Sequence, residues 1–232
     1  MKAKEAGEEA FVYAQASAKV TNEIVEDAKH LLSLMGVPYV MAPSEGEAQA
    51  AYMTVKGDAH YAASQDYDSL LFGAKKAVRN LAITGKRKLP RKKVYVEVKP
   101  EVIELDSELK RLGITREQLI DIGILVGTDY NEGIKGFGPK KAYNLIKKAG
   151  NIYNALEELG CEIESVDDIR EFLLNPPTTD DYILEWRVPD KDGIVDFLCG
   201  ERDFSEERVL GAVEKMMVAF EKDKQQTLDR WF

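Results

Sequence analysis

The chain has 232 residues, 44% of them hydrophobic, which is enough for one large domain or two small ones with a sizeable core. No apolar run approaches the roughly 18 residues a membrane span needs, and no secretory leader precedes the first helix. Cys161 and Cys199 have neither zinc-ligand spacing nor a disulfide framework, so a reduced, intracellular protein with no membrane partner is expected.

A formal net charge of −9 argues, taken alone, against a nucleic-acid binder, but the charge is uneven. Lys86, Arg87, Lys88, Arg91, Lys92 and Lys93 form one basic cluster, and Lys135, Lys140, Lys141, Lys147 and Lys148 form another. Net charge therefore leaves a nucleic-acid partner open.

In chain order, residues 4–35 read as helix, most clearly where Ile24, Val25, Ala28, Leu31, Leu32 and Met35 follow helical spacing, and Gly36 stops it. A β-prone run, Val37–Met41, leads into a helix from Glu45 to about Val55, with Ser44 and Glu47 spaced as a capping box. Gly57-Asp58 turns the chain into a strand over Ala59–Ser64, so strand, helix and strand fit a right-handed βαβ unit. A third strand is expected around Ala77–Ala82 and a fourth over Val94–Val98, and these two runs read as a hairpin or edge extension.

Helices dominate from residue 100 onward. Thr115 and Gln118 form a capping box that opens a helix with Leu119, Ile122, Gly123 and Val126 on one face, and Gly127 stops it. The loop Thr128–Gly138 carries glycines at 133, 136 and 138. Pro139 then suits the first position of a helix striped by Ala142, Leu145, Ile146 and Ala149. Further helices are expected near 151–159, 166–174, 193–199 and 206–222, with an irregular connection over 175–190 that holds a short strand at 182–186. The fold class is α/β, a mainly parallel sheet flanked by helices and followed by a helical region.

Two acidic pairs, Glu45 with Glu47 and Asp66 with Asp68, each follow a β-prone run. In an open parallel sheet, ligands bind in the crevice outside the carboxyl ends of the strands. Carboxylates converging there repel one another unless a cation sits between them. Asp66 and Asp68 point to one side if their backbone is extended. Glu45 and Glu47 reach the same crevice only from the mouth of their helix. The competing reading makes Glu47 a capping residue, Glu45 an acid complementing the helix dipole, and Asp66 and Asp68 a solvated loop. His30 and His60 read as core or surface residues, and without them no nucleophilic triad can be built.

The glycine-punctuated stretch GTDYNEGIKGFGPKKA joins two helices. Backbone N–H groups at a helix start and in glycine turns attract phosphate, and Lys140 and Lys141 add charge there. Such contacts position a duplex without reading its sequence. The plainer alternative is an αα-hairpin whose glycines only allow a tight turn. Asp129 is an acid in a loop otherwise suited to anions, and a role as metal ligand would explain it.

Taken together, HLLSLMGVPYVMAPSEGEAQAAY, AASQDYDSLLFG, ILVGTDYNEGIKGFGPKKAYNLI, FSEERV and QQTLDRWF resemble the flap endonuclease family of structure-specific 5′ nucleases, in its archaeal or eukaryotic form. The resemblance implies that Glu45, Glu47, Asp66, Asp68 and Asp129 are metal-site carboxylates for two Mg2+ ions, which Mn2+ can replace. It implies that Glu45, Gly127 and Asp129 border the DNA. Gly133, Lys135, Gly136, Gly138, Lys140 and Lys141 would belong to a helix–two-turn–helix that holds the duplex backbone, with a monovalent cation.

The implied partners are double-stranded DNA branched by a 5′ flap and a sliding clamp. The clamp would be engaged by Gln225, Leu228, Trp231 and Phe232. The implied setting is the cytoplasm of an archaeon or the nucleus of a eukaryote, in replication and repair. The expected divisions are a leading helix at 1–35, a nuclease core at 36–112, the DNA clamp at 113–150, a helical region at 151–222 and a clamp-binding tail at 223–232. The chain starts at a point matching the family segment after the helical arch, so the strand and two acids that precede it there are expected to lie outside this chain. It is read as a monomer unless another chain supplies that segment. The first alternative is a non-catalytic DNA- and sliding-clamp-binding module. A phospho-accepting receiver-like domain is the other, but it explains neither the glycine turn nor the tail.

Overall fold

The computed structural model describes residues 20–81, 85–88 and 95–229. The helix expected before Val20, the residues Ala82, Val94, Arg91, Lys92 and Lys93, and the aromatic pair Trp231-Phe232 lie outside the described residues. In chain order the first elements are α1 (Asn22–Leu34), α2 (Gly46–Lys56), β1 (Ala62–Ala63), α3 (Asp68–Leu71), β2 (Lys76–Arg79), β3 (Gly85–Lys88), β4 (Tyr95–Val98) and β5 (Glu101–Glu104). Next come α4 (Leu105–Leu112), α5 (Arg116–Val126), α6 (Pro139–Ala149), α7 (Ile152–Leu159) and α8 (Val166–Leu174). Last are α9 (Lys191–Val195), a π-helical turn over Asp196–Glu201, and α10 (Glu206–Asp229).

The chain divides into two compact units, Met1–Val40 with Asp181–Phe232, and Met41–Asp180. In the discontinuous unit, α1 begins where the Thr21 hydroxyl accepts the Ile24 N–H at 3.3 Å. Its Leu31, Leu34 and Met35 pack against Ile194, Val209 and Val213. Gly36 ends this segment at φ +67°, and its carbonyl accepts the Arg187 N–H at 2.9 Å. A Cβ at Gly36 would lie 2.1 Å from the Arg187 carbonyl oxygen, so the two segments meet backbone to backbone only because glycine is there.

The continuous unit is built around α5. Ile120, Ile124 and Leu125 are fully buried and share one core with Ile146 of α6, Ile152 of α7 and Leu173 of α8. Truncating such a side chain to alanine costs about 2–5 kcal/mol. The capping box at its start forms as expected: Thr115 accepts the Gln118 N–H, and the Gln118 side chain accepts the Thr115 N–H at 3.0 Å. Pro139 occupies the first turn of α6, and Val166–Leu174 is helical as expected.

The sheet differs in detail from expectation. It is mixed and three-stranded, in the order β1-β2-β5, with β1 and β2 parallel and β2 and β5 antiparallel. Glu101–Glu104, where helix was expected, supplies the third strand. Val37–Met41 has no strand partner among the described residues, so the parallel pair flanks the short α3 rather than α2. β4 pairs with β3 in the basic run, not with the run at Ala77, because β5 takes the free edge of β2. Residues 182–186 form no strand among the described residues. Nor is any helix there long and apolar enough to cross a membrane.

Candidate metal centre and nucleic-acid interface

α2 starts one residue later than its sequence suggests. Glu45 is its N-cap, and the Ser44–Glu47 capping box does not form. The Ser44 hydroxyl donates to the Pro177 carbonyl at 2.9 Å, a tertiary contact rather than a local cap. Gln49, one turn in, donates to Thr179 O and accepts the Thr179 N–H, both at 2.9 Å, pinning the mouth of α2 to the 177–179 segment. Glu45 is exposed and Glu47 half-buried at that mouth.

Asp66 and Asp68 do not share an extended segment. Asp66 lies in a bend whose N–H reaches the Ser64 hydroxyl at 3.1 Å, and Asp68 opens the one-turn α3. The bend places both near Glu47 by a different route from the expected alternation along a strand. At the other end of α3, the Arg116 guanidinium donates to Leu71 O at 3.0 Å and to Leu173 O at 2.7 Å, capping α3 and α8 together.

Asp129 comes from a separate loop. Thr128 and Asn131 exchange backbone hydrogen bonds of 3.0 and 3.2 Å, leaving Asp129 and Tyr130 as the two residues at the tip of a tight turn. The Asn131 side chain donates to Ile124 O at 2.8 Å and fastens this turn to the last turn of α5. Gly133, at φ +70°, passes so close beneath that a Cβ would lie 2.4 Å from the Val126 carbonyl carbon and oxygen. A Cβ at Gly127 would sit 3.0 Å from Glu132 O. These two glycines thus have a packing reason of their own, whatever else touches them.

The five acids lie in one electrostatic neighbourhood. Burial pushes the Glu47 carboxyl up, a Ser64 hydroxyl opposes this, and the charges of Asp68, Asp66 and Glu45 push it further. Burial likewise raises Asp68, and Asp129, Asp66 and Glu45 add to it. Among the described residues no lysine or arginine forms an ion pair with any of the five. Glu47 Oε1 is buried and has no hydrogen-bond partner among the described residues.

The donor set is all oxygen, which suits a hard divalent cation, and a buried carboxylate oxygen without a donor is what such an ion satisfies. Among the described residues no three His, Cys, Asp or Glu side chains are gathered so as to hold an ion as they stand. Like charges without a counter-ion keep their distance. The residues fit a divalent cation in chemistry and neighbourhood.

Beyond the tight turn, Gly138 is the N-cap of α6, and Lys135, Gly136, Gly138, Lys140 and Lys141 are all exposed. Among the described residues no acid pairs with Lys135, Lys140 or Lys141, although Lys141 donates to Gly136 O at 3.1 Å. At the far end of the same helix, Lys147 donates to Leu112 O and Lys148 pairs with Glu158, so the cations of α6 serve two different purposes. Of the tail, Gln225 and Leu228 lie on the helical backbone of α10.

Tyr130 was not foreseen. Its hydroxyl donates to Glu45 Oε1 at 3.0 Å, and burial, followed by this bond, pushes its phenol well above the ordinary value. The only hint in the sequence was its place beside Asp129. Arg116 looked like an ordinary first-turn residue, and nothing local marks it.

The XPG I-region family matches residues 36–129, a span that holds all five acids. The chain is 63% identical to flap endonuclease 1 of Archaeoglobus fulgidus over 95% of its own length and 65% of the relative's. To flap endonuclease 1 of Methanococcoides burtonii it is 58% identical over its whole length and 68% of the relative's. It thus spans about two thirds of the length of these curated relatives. Among solved structures, flap endonuclease-1 from Methanococcus jannaschii superposes with a TM-score of 0.77 at 45% identity, covering 95% of this chain and 65% of that one. The catalytic core of Rad2 in complex with DNA substrate superposes with a TM-score of 0.67 at 25% identity, covering 85% and 71%.

Proposed function

The chain belongs to the flap endonuclease 1 family, and from that premise we propose that it forms the metal-holding and duplex-holding part of a Mg2+-dependent nuclease. The substrate would be a phosphodiester at the junction between a 5′ flap and duplex DNA. The observation that carries this reading is a set of five neighbouring acids with no cation partner among the described residues, one of them with a buried orphan oxygen.

Glu45, Glu47, Asp66, Asp68 and Asp129 would hold two Mg2+ ions, or Mn2+ in their place. Divalent cations bound here supply Lewis-acid stabilisation of charge developing on phosphodiester oxygens and acidify water. The protein's own part is to place these carboxylates from three chain segments and to hold the duplex. Gly136, Gly138, Lys135, Lys140 and Lys141 present backbone dipoles and charge to phosphate, which positions DNA without selecting sequence. That a DNA-bound Rad2 core shares this fold supports the same use of the surface here.

The test is cleavage of a 5′-flap oligonucleotide in Mg2+, by this chain alone and by this chain joined to the third of a relative that lies outside the matched region. Cleavage by the joined protein that Asp68→Asn abolishes is the expected result. Flap binding without cleavage in every arm would favour a non-catalytic DNA- and sliding-clamp-binding module. That second reading draws on the absence, among the described residues, of a ready-made metal cage.

The tail QQTLDRWF suits a sliding-clamp groove, with Gln225, Leu228, Trp231 and Phe232 as its anchors. Trp231→Ala with Phe232→Ala is expected to abolish clamp capture in a pull-down while leaving flap binding intact. Loss of both would instead place the tail in the packing of the protein.

A further inference from the structure

Three chain segments bring the acids: the mouth of α2, the α3 turn and the tip of the Thr128–Asn131 turn. Tyr130 touches the first while belonging to the third. Its hydroxyl donates to Glu45 Oε1 at 3.0 Å, across 85 positions of sequence. Its ring meets Phe172 of α8 at 5.1 Å between centroids and 66° between planes. Phe172 in turn meets Phe72, the residue that ends α3, at 5.8 Å and 86°. Edge-to-face contacts of this kind hold rings in a defined orientation.

A single aromatic brace, Tyr130–Phe172–Phe72, therefore spans the segments that carry Glu45, Asp68 and Asp129. Its anchorage is firm at both ends. Asn131 fastens the turn to α5, and Arg116 caps α3 and α8 where Phe72 and Phe172 lie. Among the described residues Glu45 itself has little else to hold it. It is exposed, and as the N-cap of α2 its side chain makes no capping hydrogen bond.

We propose that Tyr130 is a positioning residue of the metal centre. Its hydroxyl occupies one oxygen of Glu45 and would leave the other for a cation, while its braced ring links the segments of Glu45 and Asp129. This rests on the metal-site reading above. Partners that orient a metal-ligating carboxylate without touching the metal commonly set affinity by about 10–100-fold.

The experiment is Mn2+ binding to the full chain, followed by the electron paramagnetic resonance of free and bound ion. Metal-free melting of each protein is recorded alongside. Tyr130→Phe keeps the ring and its packing and removes only the donor. The expected result is an affinity about tenfold weaker, with metal-free melting near that of the parent chain. In a Glu45→Ala background the same change is expected to have no further effect, because its route to the metal is gone. Parental affinity in Tyr130→Phe overturns the proposal, and so does a tenfold loss that persists in the Glu45→Ala background. Failure of the parent chain itself to bind Mn2+ at millimolar concentration overturns the metal reading and this inference with it. Parental binding with an unaffected variant overturns this inference alone.

Discussion

Asp121 and Glu47 are both carboxylates pushed upward by burial, and the difference between them lies in what surrounds each one. Asp121 sits fully buried in the middle of α5, with Arg170 Nε at 2.7 Å on one oxygen and the Ile152 N–H at 3.1 Å on the other. It is complete, and it ties α5, α7 and α8 together. Glu47 has a hydroxyl nearby, three acids around it and one oxygen with no donor among the described residues. Burial alone marks neither function nor structure. The sign of the neighbours does, since an acid among acids is settled only by a proton or a cation.

The comparison breaks first, and with the largest effect, at Asp121. Asp121→Ala leaves Arg170 without its partner, and unfolding in urea is expected to show a loss of about 3–5 kcal/mol. A loss below about 1 kcal/mol would mean that the buried pair does not hold the helices. The opposite sign is expected at the other cluster. Asp68→Asn removes one like charge and is expected to stabilise the metal-free protein by roughly 0.5–2 kcal/mol, as relief of unfavourable charge does elsewhere, while shrinking the rise in melting temperature that Mg2+ produces. A destabilised metal-free variant would place Asp68 with Asp121 instead.

A smaller effect sharpens the same contrast through pH. The folded protein holds protons on Glu47 and Asp68 more tightly than the unfolded chain does. The stability these two contribute is therefore fully present below the ordinary carboxylate range and lost as pH rises through their raised folded values. Other carboxylates titrate in the same range with the opposite sign, Asp27 and Asp180 among them. The informative quantity is thus the melting difference between Asp68→Asn and the parent chain in chelator. It is expected to widen as pH rises from about 4 toward neutrality, because only the parent carries the growing penalty. With Mg2+ present the widening is expected to vanish, since metal and proton compete for the same oxygens. A difference constant with pH would show that the charge at Asp68 is not strained.

What could be read in the sequence was whatever neighbours decide. The Thr115–Gln118 box and Pro139 at the start of α6 depend on residues within one helical turn, and both stand as expected. The Ser44–Glu47 box has the same local pattern and does not form: the cap falls one residue later, at Glu45, and the Ser44 hydroxyl donates to Pro177 O, 133 positions away. The pairing of β2 with β5 rather than β4 is a competition between edges that alternation along one run cannot decide. At the site, the acids were legible as acids, since carboxylate pairs after β-prone runs stand out. Asp121, Arg116 and Tyr130 were not. A lone acid, a first-turn arginine and a tyrosine each gain meaning from a partner at least 31 residues away in sequence.

The backbone contact between Gly36 and Arg187 has a consequence in time. Among the described residues, the apolar face of α1, Leu31, Leu34 and Met35, packs against Ile194, Val209 and Val213. At roughly 5–20 residues per second of synthesis, the intervening stretch of about 160 residues takes on the order of 10–30 s to emerge from a ribosome. Met41–Asp180 is continuous and holds its own core, so it can fold during that interval. The nascent α1 must wait for Ile194, Val209 and Val213 to complete this packing. For that interval its stripe lacks these later partners, and apolar surface left waiting in this way is the kind that chaperones bind and that aggregates form on.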